Sequence, residues 1–495
     1  MLTEAGLREV YAVLREAWSL ERSRLELIRR YLRNEARDIY VPSEADAEYQ
    51  MLVDQARFNI LPLVVTTVAQ GLFIDGYRPT GATGLPQEEQ SPLWEVWQRN
   101  RMDSRQAQVY RPAIAYGTSY VTVLPGDPAP VLTPFSPWRC TALYADDDDE
   151  WPVYALTTPN DYTLAGSRVA QADRARLIGP PVVRLFDDTH VYDIVVDVFG
   201  NPGDWSKVVT REHGLGVCPV VRFRKVDEDG SASCGKIEPL LPLQRQINQI
   251  TFSALMAAQF GAFRQRWATG MALDKDPVTG EYRQPFNASA SALWASTSPD
   301  TKFGDFAETN LDGYMTSRDK AIIFASSTAQ IPPHNLLIAD GISNIAAETL
   351  AALESAHQLD VADYKTAFGE HMEQALRLAG LATGDQQAWD DISSEVAWRD
   401  TTPRSLGQLV DALGKMAAQL GIPAEELWTM IPGTTEQQLV RWRAAATSNA
   451  LMQSLEALAN APVTGGQAAN GQVPNPTGDA QPAGATAAGT AVPFG

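Results

Sequence analysis

One stretch of this chain, Gly235 to Gly380, restricts the fold more than any other: two helical segments flank a long irregular excursion, and a Pro-Pro loop then leads into a third, longer helix. The first helix is expected from Pro239 to Trp267. Leu243, Ile247, Ile250, Leu255, Phe260, Phe263 and Trp267 recur there at three- to five-residue steps, near the helical period. Pro239 and Pro242 fit only its first turn, where a missing N–H costs nothing. At 1.5 Å per residue the segment would span roughly 43 Å, longer than an ordinary globular helix, so it needs partners along its length.

The excursion, Gly270 to Asp305, is broken by Asp276-Pro277, Thr279-Gly280, Gln284-Pro285 and Ser298-Pro299, and reads as loops with short strands anchored by Arg283, Phe286, Leu293 and Trp294. A second helix, Leu311 to about Ser327, carries Leu311, Tyr314, Met315, Ile322 and Phe324 and returns the chain toward where it left, which makes the excursion a protruding module. The following Gln330-Ile331-Pro332-Pro333-His334-Asn335 is expected to be non-helical, because a prolyl ring excludes the residue before it from the α region. From Asn344 to Ala379, Ile345, Leu350, Leu353, Leu359, Tyr364, Phe368, Met372 and Leu376 give a helix of about 54 Å. Gly380 is its expected stop and Gly369 a candidate kink.

Upstream, an arginine-rich amphipathic helix runs from Thr3 to Arg37, and a second from Ser43 through Ile74 with a kink at Pro62. The segment from Trp94 and Trp97 to Tyr116 reads as two more helices. Gly117 then switches the period to two. Tyr120–Val123, Val153–Leu156, Val182–Leu185, Val191–Val196 and Val220–Phe223 look like antiparallel strands, a β-rich insert between helical blocks. The whole is therefore α+β and predominantly helical. Past the long helix, Thr401 to about Leu458 reads as short helices, and from Ala461 the composition collapses to Ala, Gly, Pro, Gln, Asn and Thr, a tail too poor in apolar groups to order itself.

With 495 residues, 44% of them hydrophobic, the chain can bury a sizeable core. Its formal net charge of −20 argues against gripping nucleic acid by neutralising phosphates. Between Lys236 and Ser343 the balance differs. Ten acids (Glu238, Asp274, Asp276, Glu281, Asp300, Asp305, Glu308, Asp312, Asp319, Asp340) face nine bases (Lys236, Arg245, Arg264, Arg266, Lys275, Arg283, Lys302, Arg318, Lys320), a near-neutral section that suits a conduit better than a clamp. Three scattered cysteines, Cys140, Cys218 and Cys234, fit a reducing compartment and buried thiols. The N-terminus lacks a basic region followed by an apolar core, so a cytoplasmic start is expected. The uncharged run Gln246 to Phe263 is too rich in amides and hydroxyls for lipid, and no membrane partner is expected.

The sharpest enzymatic motif is Gly230-Ser231-Ala232-Ser233-Cys234-Gly235-Lys236-Ile237, which matches most of a phosphate-binding loop. Ile237 stands where a Ser or Thr hydroxyl would hold magnesium, and Pro239 and Pro242 remove amide donors from the helix start. His190, His213, His334, His357 and His371 show no metal-ligand spacing, and there is no nucleophile elbow. The acidic run Asp146 to Glu150 lacks the spaced ligands of a calcium loop and reads as a solvated hairpin tip. No catalytic residue, metal or cofactor is assigned.

Four segments in order carry a resemblance: Asn59-Ile60-Leu61-Pro62-Leu63-Val64-Val65 through Gly71-Leu72-Phe73-Ile74-Asp75-Gly76-Tyr77-Arg78, Gly235-Lys236-Ile237-Glu238-Pro239-Leu240, Gln265-Arg266-Trp267-Ala268-Thr269-Gly270, and Ile331-Pro332-Pro333-His334. Across most of its length the chain resembles the portal proteins of tailed bacteriophages, the DNA-conducting ring at one capsid vertex, and looks closest to those of actinobacterial siphophages. The resemblance implies a helical wing region at 1–116, a β-rich wing region at 117–235, stem helices at 236–268 and 309–327, a clip at 269–308, a tunnel loop at 328–343, a wing spine at 344–380, a crown at 381–460 and a disordered tail at 461–495. It implies a closed ring of about twelve copies that nucleates the procapsid. Its implied partners are the terminase large subunit, head-completion or adaptor proteins, and major capsid and scaffolding proteins. Double-stranded DNA would pass non-specifically, in the virion and, during assembly, in the host cytoplasm. Lys320, Gln330, His334 and Asn335 are then candidates for transient phosphate contacts, and Arg283, Phe286 and Trp294 for clip contacts. The competing classes are an ATP-using packaging enzyme and a non-channel minor capsid protein.

Overall fold

A computed structural model of the chain describes residues 1–43, 47–80, 91–158, 181–197, 201–225, 234–262, 266–269, 300, 302–305, 310–336, 347–399, 406–431, 434 and 436–459. They belong to two compact units, Met1–Val440 and Arg441–Gly495.

The first helix, α1 (Glu4–Leu32), starts where the Thr3 side-chain oxygen accepts the Gly6 amide at 3.2 Å, an N-cap. It stops short of the expected Arg37, because Asn34 takes a left-handed φ of 59°. The stretch expected as one kinked helix from Ser43 to Ile74 is three elements, α2 (Ala47–Gln55), α3 (Leu61–Gln70) and β1 (Ile74–Arg78). Pro62 does not kink a helix; it sits in the first turn of a new one, where its absent N–H has no partner to lose. Then come α4 (Pro92–Arg99), a single turn α5 (Met102–Arg105) and α6 (Ala107–Tyr116), one helix more than the sequence suggests. Gly117, at φ 91°, closes α6 and redirects the chain into strands.

The β-rich insert is two antiparallel sheets. β2 (Thr118–Leu124) lies between β3 (Val131–Phe135) and β9 (Val220–Arg224), and β4 (Cys140–Leu143), β5 (Tyr154–Thr157), β6 (Val182–Phe186), β7 (His190–Val195) and β8 (Val209–Glu212) form a meander. Alternation sets the register: Leu156, Val183, Leu185, Tyr192 and Ile194 bury one face of the meander against Leu7, Tyr11 and Leu14 of α1. The acidic run between β4 and β5 is exposed, but it is more than a solvated tip. Asp147 is paired with Arg222 at 2.9 Å and with Arg224, and these two guanidiniums hold its carboxyl below the ordinary value despite partial burial.

After a single 3₁₀ turn at Glu238–Leu240, α7 (Leu241–Ala262) runs for 22 residues, about 33 Å. The expected extension to Trp267 does not occur. Arg266–Thr269 is a strand, β10, pairing antiparallel with β11 (Lys302–Asp305), Trp267 opposite Gly304, and the ladder takes up the backbone that a helix would have used. Residues 270–299 and 301 of the excursion lie outside the described residues. α8 (Asp312–Thr328) returns within one residue of the expected span and packs on α7. A short helix, α9 (Pro333–Leu336), then occupies part of the segment expected to be non-helical. The prolyl argument bars Pro332, not Pro333, from the α region, and a proline is well suited to a first helical position.

The longest element is α10 (Ala347–Thr383), 37 residues or about 55 Å, unbroken across Gly369. Gly380 is not its stop. A Cβ there would lie 2.7 Å from that of Ala388 on α11 (Gln386–Asp390), so this glycine permits close packing, and Gly384, at φ 81°, ends the helix. β12 (Glu395–Trp398) pairs with β1, and α12 (Leu406–Leu420), α13 (Ala424–Leu427) and the 24-residue α14 (Glu436–Ala459) follow, the last longer than the short helices expected. Of the second unit, residues 441–459 are described, all within α14. The tail from Ala461 lies outside the described residues.

The main core joins both ends of the first unit. Phe368, Met372, Ala375, Leu376, Leu378 and Ala379 of α10 pack with Tyr110 and Ile114 of α6, Val121 and Phe223 of the small sheet, and Ile237, Leu240 and Ile247 at the start of α7. The last turns of α8, with Ala321, Ile322 and Ala325, enter the same core.

Candidate DNA-facing loop and its anchorage

The root of the segment after α8 is built by four pieces of chain. α8 ends in a Schellman arrangement: the Ile331 amide donates to the Ser326 carbonyl at 2.9 Å and the Gln330 amide to Ser327 at 3.2 Å, with Gln330 in the left-handed region at φ 54°. Ile331 and Pro332 are buried behind it. Opposite stands the Gly235-Lys236-Ile237 segment. Gly235 is pressed so closely on α6 that a Cβ would fall 2.1 Å from the Ala115 carbonyl oxygen, and the Lys236 amide donates to Ile114 at 2.8 Å.

Lys236 reaches across this junction. Its ammonium lies 2.7 Å from Oδ2 of Asp360 on α10 and donates to the Ala329 carbonyl, also at 2.7 Å. Burial pulls its pKa below the ordinary lysine value, only partly offset by Asp360. Lys225 adds a second, longer contact to Asp360 at 3.6 Å and lies 4.9 Å from the Tyr364 ring centroid. Asp360 is 2% exposed at its side chain, so removing Lys236 alone would strand a buried carboxylate, a loss of about 3–5 kcal/mol.

Two further residues of α10 hold the same segment. His357 donates from its ring to the Gln330 carbonyl, while its Nδ1 is buried without a hydrogen-bond partner. Burial holds this histidine's pKa below 6.5, against the opposing effect of Asp360. Glu354 faces His334, Oε1 to Nε2, at 3.7 Å. Glu354, His357 and Asp360, spaced by three residues, thus lie along one side of α10 and each touches a different point of the chain between Ala329 and His334.

Of the sequence candidates, Gln330, His334 and Asn335 come together here: Gln330 and Asn335 are exposed, and His334 is half-buried against Glu354. Lys320 does not join them. It is exposed on α8, ten residues before Gln330, roughly 15 Å along the axis. Arg283, Phe286 and Trp294 lie outside the described residues. Asp360, Glu354 and the anchoring role of Lys236 were missed, because nothing in the sequence says that positions 236 and 360 meet.

α7 is fixed beside this root by buried amides. Gln244 accepts the Ile60 amide at 3.1 Å and donates to the Phe58 carbonyl and to Asn248, which in turn donates to Asp38 at 3.0 Å. Within the run that was too polar for lipid, Asn248 is engaged in this way and Gln259 donates to Glu48 of α2. No helix among the described residues is long and apolar enough to cross a membrane. His371 Nε2 donates to the Arg224 carbonyl at 3.1 Å, a packing role as expected, and no group of three or more potential metal ligands occurs among the described residues. Cys140 and Cys218 are buried, as expected of inert thiols, whereas Cys234 is exposed.

The fold is an antiparallel helix pair joined through a two-stranded ladder and rooted in a mixed α+β core, and the lysine of the phosphate-loop-like motif is engaged by Asp360 and the Ala329 carbonyl. The family model described as phage portal protein, SPP1 Gp6-like, matches residues 12–450, and the chain belongs to that family. It is 25% identical over 375 residues to the portal protein of Mycobacterium phage D29, covering 72% of this chain and 71% of that one. With the portal protein of Mycobacterium phage L5 it shares 24% identity over 403 residues, 78% and 76% of the two chains. Among solved structures it is similar to chains of a native gene transfer agent virion (TM-score 0.42, 12% identity, 80% of this chain and 96% of that one). It is also similar to chains of the neck of a native gene transfer agent particle computed with C12 symmetry (0.42, 12%, 77% and 91%).

Proposed function

We propose that this portal-family chain is one subunit of a closed, roughly twelve-membered ring through which double-stranded DNA passes. In this reading α7 and α8 are the stem, the excursion beyond β10 and β11 the clip, the segment from Thr328 the tunnel loop, α10 the spine of the wing, and the helices after β12 the crown. The observation that carries it is the apolar surface of α8: Tyr314, Met315, Ile323 and Phe324 are exposed, Phe324 at 62%, beside a face whose Ile322 and Ala325 are fully packed. A helix apolar on both sides needs a second neighbour, and an identical copy related by rotation supplies one for every subunit. The subunit contributes no catalysis; the terminase that drives DNA, the adaptor that follows and the capsid shell are its partners, in the virion and earlier in the host cytoplasm.

The near-balanced charge of the section from Lys236 to Ser343 suits passage without deep electrostatic traps. Electron microscopy of the purified protein tests the proposal: rings with an axial opening wider than duplex DNA, about 20 Å or more, are expected. Monomers under all conditions, or ATP turnover by the protein alone, would overturn it.

A further inference from the structure

The three contacts along α10 have a geometry that packing alone does not require. Asp360 acts through Lys236 on the Ala329 carbonyl, His357 on the Gln330 carbonyl and Glu354 on His334, so successive points of a six-residue segment are gripped by successive turns of one helix. We propose that Glu354, His357 and Asp360, with Lys236 as bridge, form a latch that sets where the loop after α8 pivots. With the latch closed, the chain is held from Ala329 through α9. With it open, the pivot moves back to Gln330, whose left-handed backbone already marks the point where α8 ends and the direction changes.

Two features make this a device with two positions rather than a graded one. The Lys236 and His357 contacts are directional hydrogen bonds, each made or lost within an ångström or so, whereas Glu354 to His334 at 3.7 Å is a looser outer contact. The latch is also not fully satisfied as it stands: Nδ1 of His357 and Oδ2 of Asp360 are buried without a hydrogen-bond partner, although Asp360 Oδ2 lies 2.7 Å from the Lys236 ammonium. The charged groups facing the latch are Lys225, Lys236, Glu354 and Asp360, together with His334. A loop pushed by a passing polymer would load the outermost contact, Glu354 to His334, first, and the Lys236 bridge last.

The consequence for DNA rests on the ring reading, but the latch itself does not. The test is amide hydrogen exchange, followed by mass spectrometry, on the full-length assembled protein. Three variants are compared with the unaltered chain: Glu354→Ala, which removes the outer contact, Asp360→Asn, and the double variant Lys236→Met with Asp360→Asn, which leaves no unpaired charge. Expected is exchange at least tenfold faster at residues 329–336 in the two Asp360 variants, a smaller rise confined to residues 333–336 in Glu354→Ala, and unchanged protection at residues 366–379. Unchanged exchange at 329–336 overturns the latch. So does a rise of equal size at 366–379, which would make Lys236 and Asp360 ordinary core supports. Rings with no change in exchange defeat the latch alone; faster exchange in a protein that forms no rings defeats the ring reading alone.

Discussion

The two halves of α10 are held by different physics. From Tyr364 onward the helix is fixed by apolar contact: Phe368 is fully buried, stacked on Tyr110 at 5.6 Å and edge-on to Phe223 at 6.1 Å, with Met372, Ala375 and Leu376 in the same core. From Glu354 to Asp360 it is held by the buried Lys236–Asp360 pair with a longer Lys225 contact, one histidine hydrogen bond and the longer contact of Glu354 to His334. Apolar packing is non-directional and sums over many small contacts, so that half yields only when the domain does. Charged hydrogen bonds are few and geometric, so the other half can let go locally while the core persists. A single long helix can thereby be an anchor at one end and a release at the other.

The largest effect is expected from the apolar half. Phe368→Ala removes a fully enclosed ring from between three aromatic neighbours and should cost about 3–5 kcal/mol, read as a lowered midpoint in urea or thermal unfolding. The loss should be global, with faster exchange throughout the core strands β2 and β9. If exchange rose only around residue 368, the contrast between the halves would fail.

Acid should come next. His371, buried and hydrogen-bonded to Arg224, has its pKa pulled down to about 4, by burial first and then by the Arg222 and Arg224 charges. Between pH 6.5 and 4 the unfolded chain takes up a proton that the folded one refuses, so stability is complete above the unfolded value and is lost as pH falls through this window, by up to about 3 kcal/mol. His213 and His357 are lowered in the same direction and add to the slope. His371→Phe should flatten the fall of the melting temperature between pH 6.5 and 4; an unchanged slope would mean that the histidine is not held neutral by the core.

What was legible in the sequence follows the same division. The apolar half of α10, the five strands and the α8 boundaries were readable because periodic burial is a local property, written at steps of two or three to four residues. The end of α7 was misread because Trp267 continued the apolar rhythm, and only its pairing with Gly304, well beyond it in sequence, makes Arg266–Thr269 a strand. Gly380 was misread because a helical glycine that admits a neighbour looks like one that stops a helix. The latch was invisible for the strongest reason: Lys236 and Asp360 are ordinary surface types in sequence, and their meeting depends on how four distant segments converge. The break in the helix at Ile331-Pro332 was legible from Pro332-Pro333; its supports were not.

The smallest effect probes whether α10 must bend. Gly369 interrupts the helix in sequence, yet the helix is continuous there, and a Cβ added to it would meet Trp398 Nε1 at 3.5 Å and Val396 at 3.6 Å, ordinary van der Waals contact. No positive φ demands glycine at this position, so Gly369→Ala should stabilise by about 0.5–1 kcal/mol, the usual gain from removing a flexible residue from a helix interior. The measurement is the unfolding midpoint of the purified protein alongside exchange at residues 329–336. A stiffer apolar half that leaves exchange at the root unchanged would show the two halves to be mechanically separate. A destabilised Gly369→Ala protein would mean that the helix bends at Gly369 in the working assembly, and the boundary between anchor and release would then lie at residue 369 instead of near Tyr364.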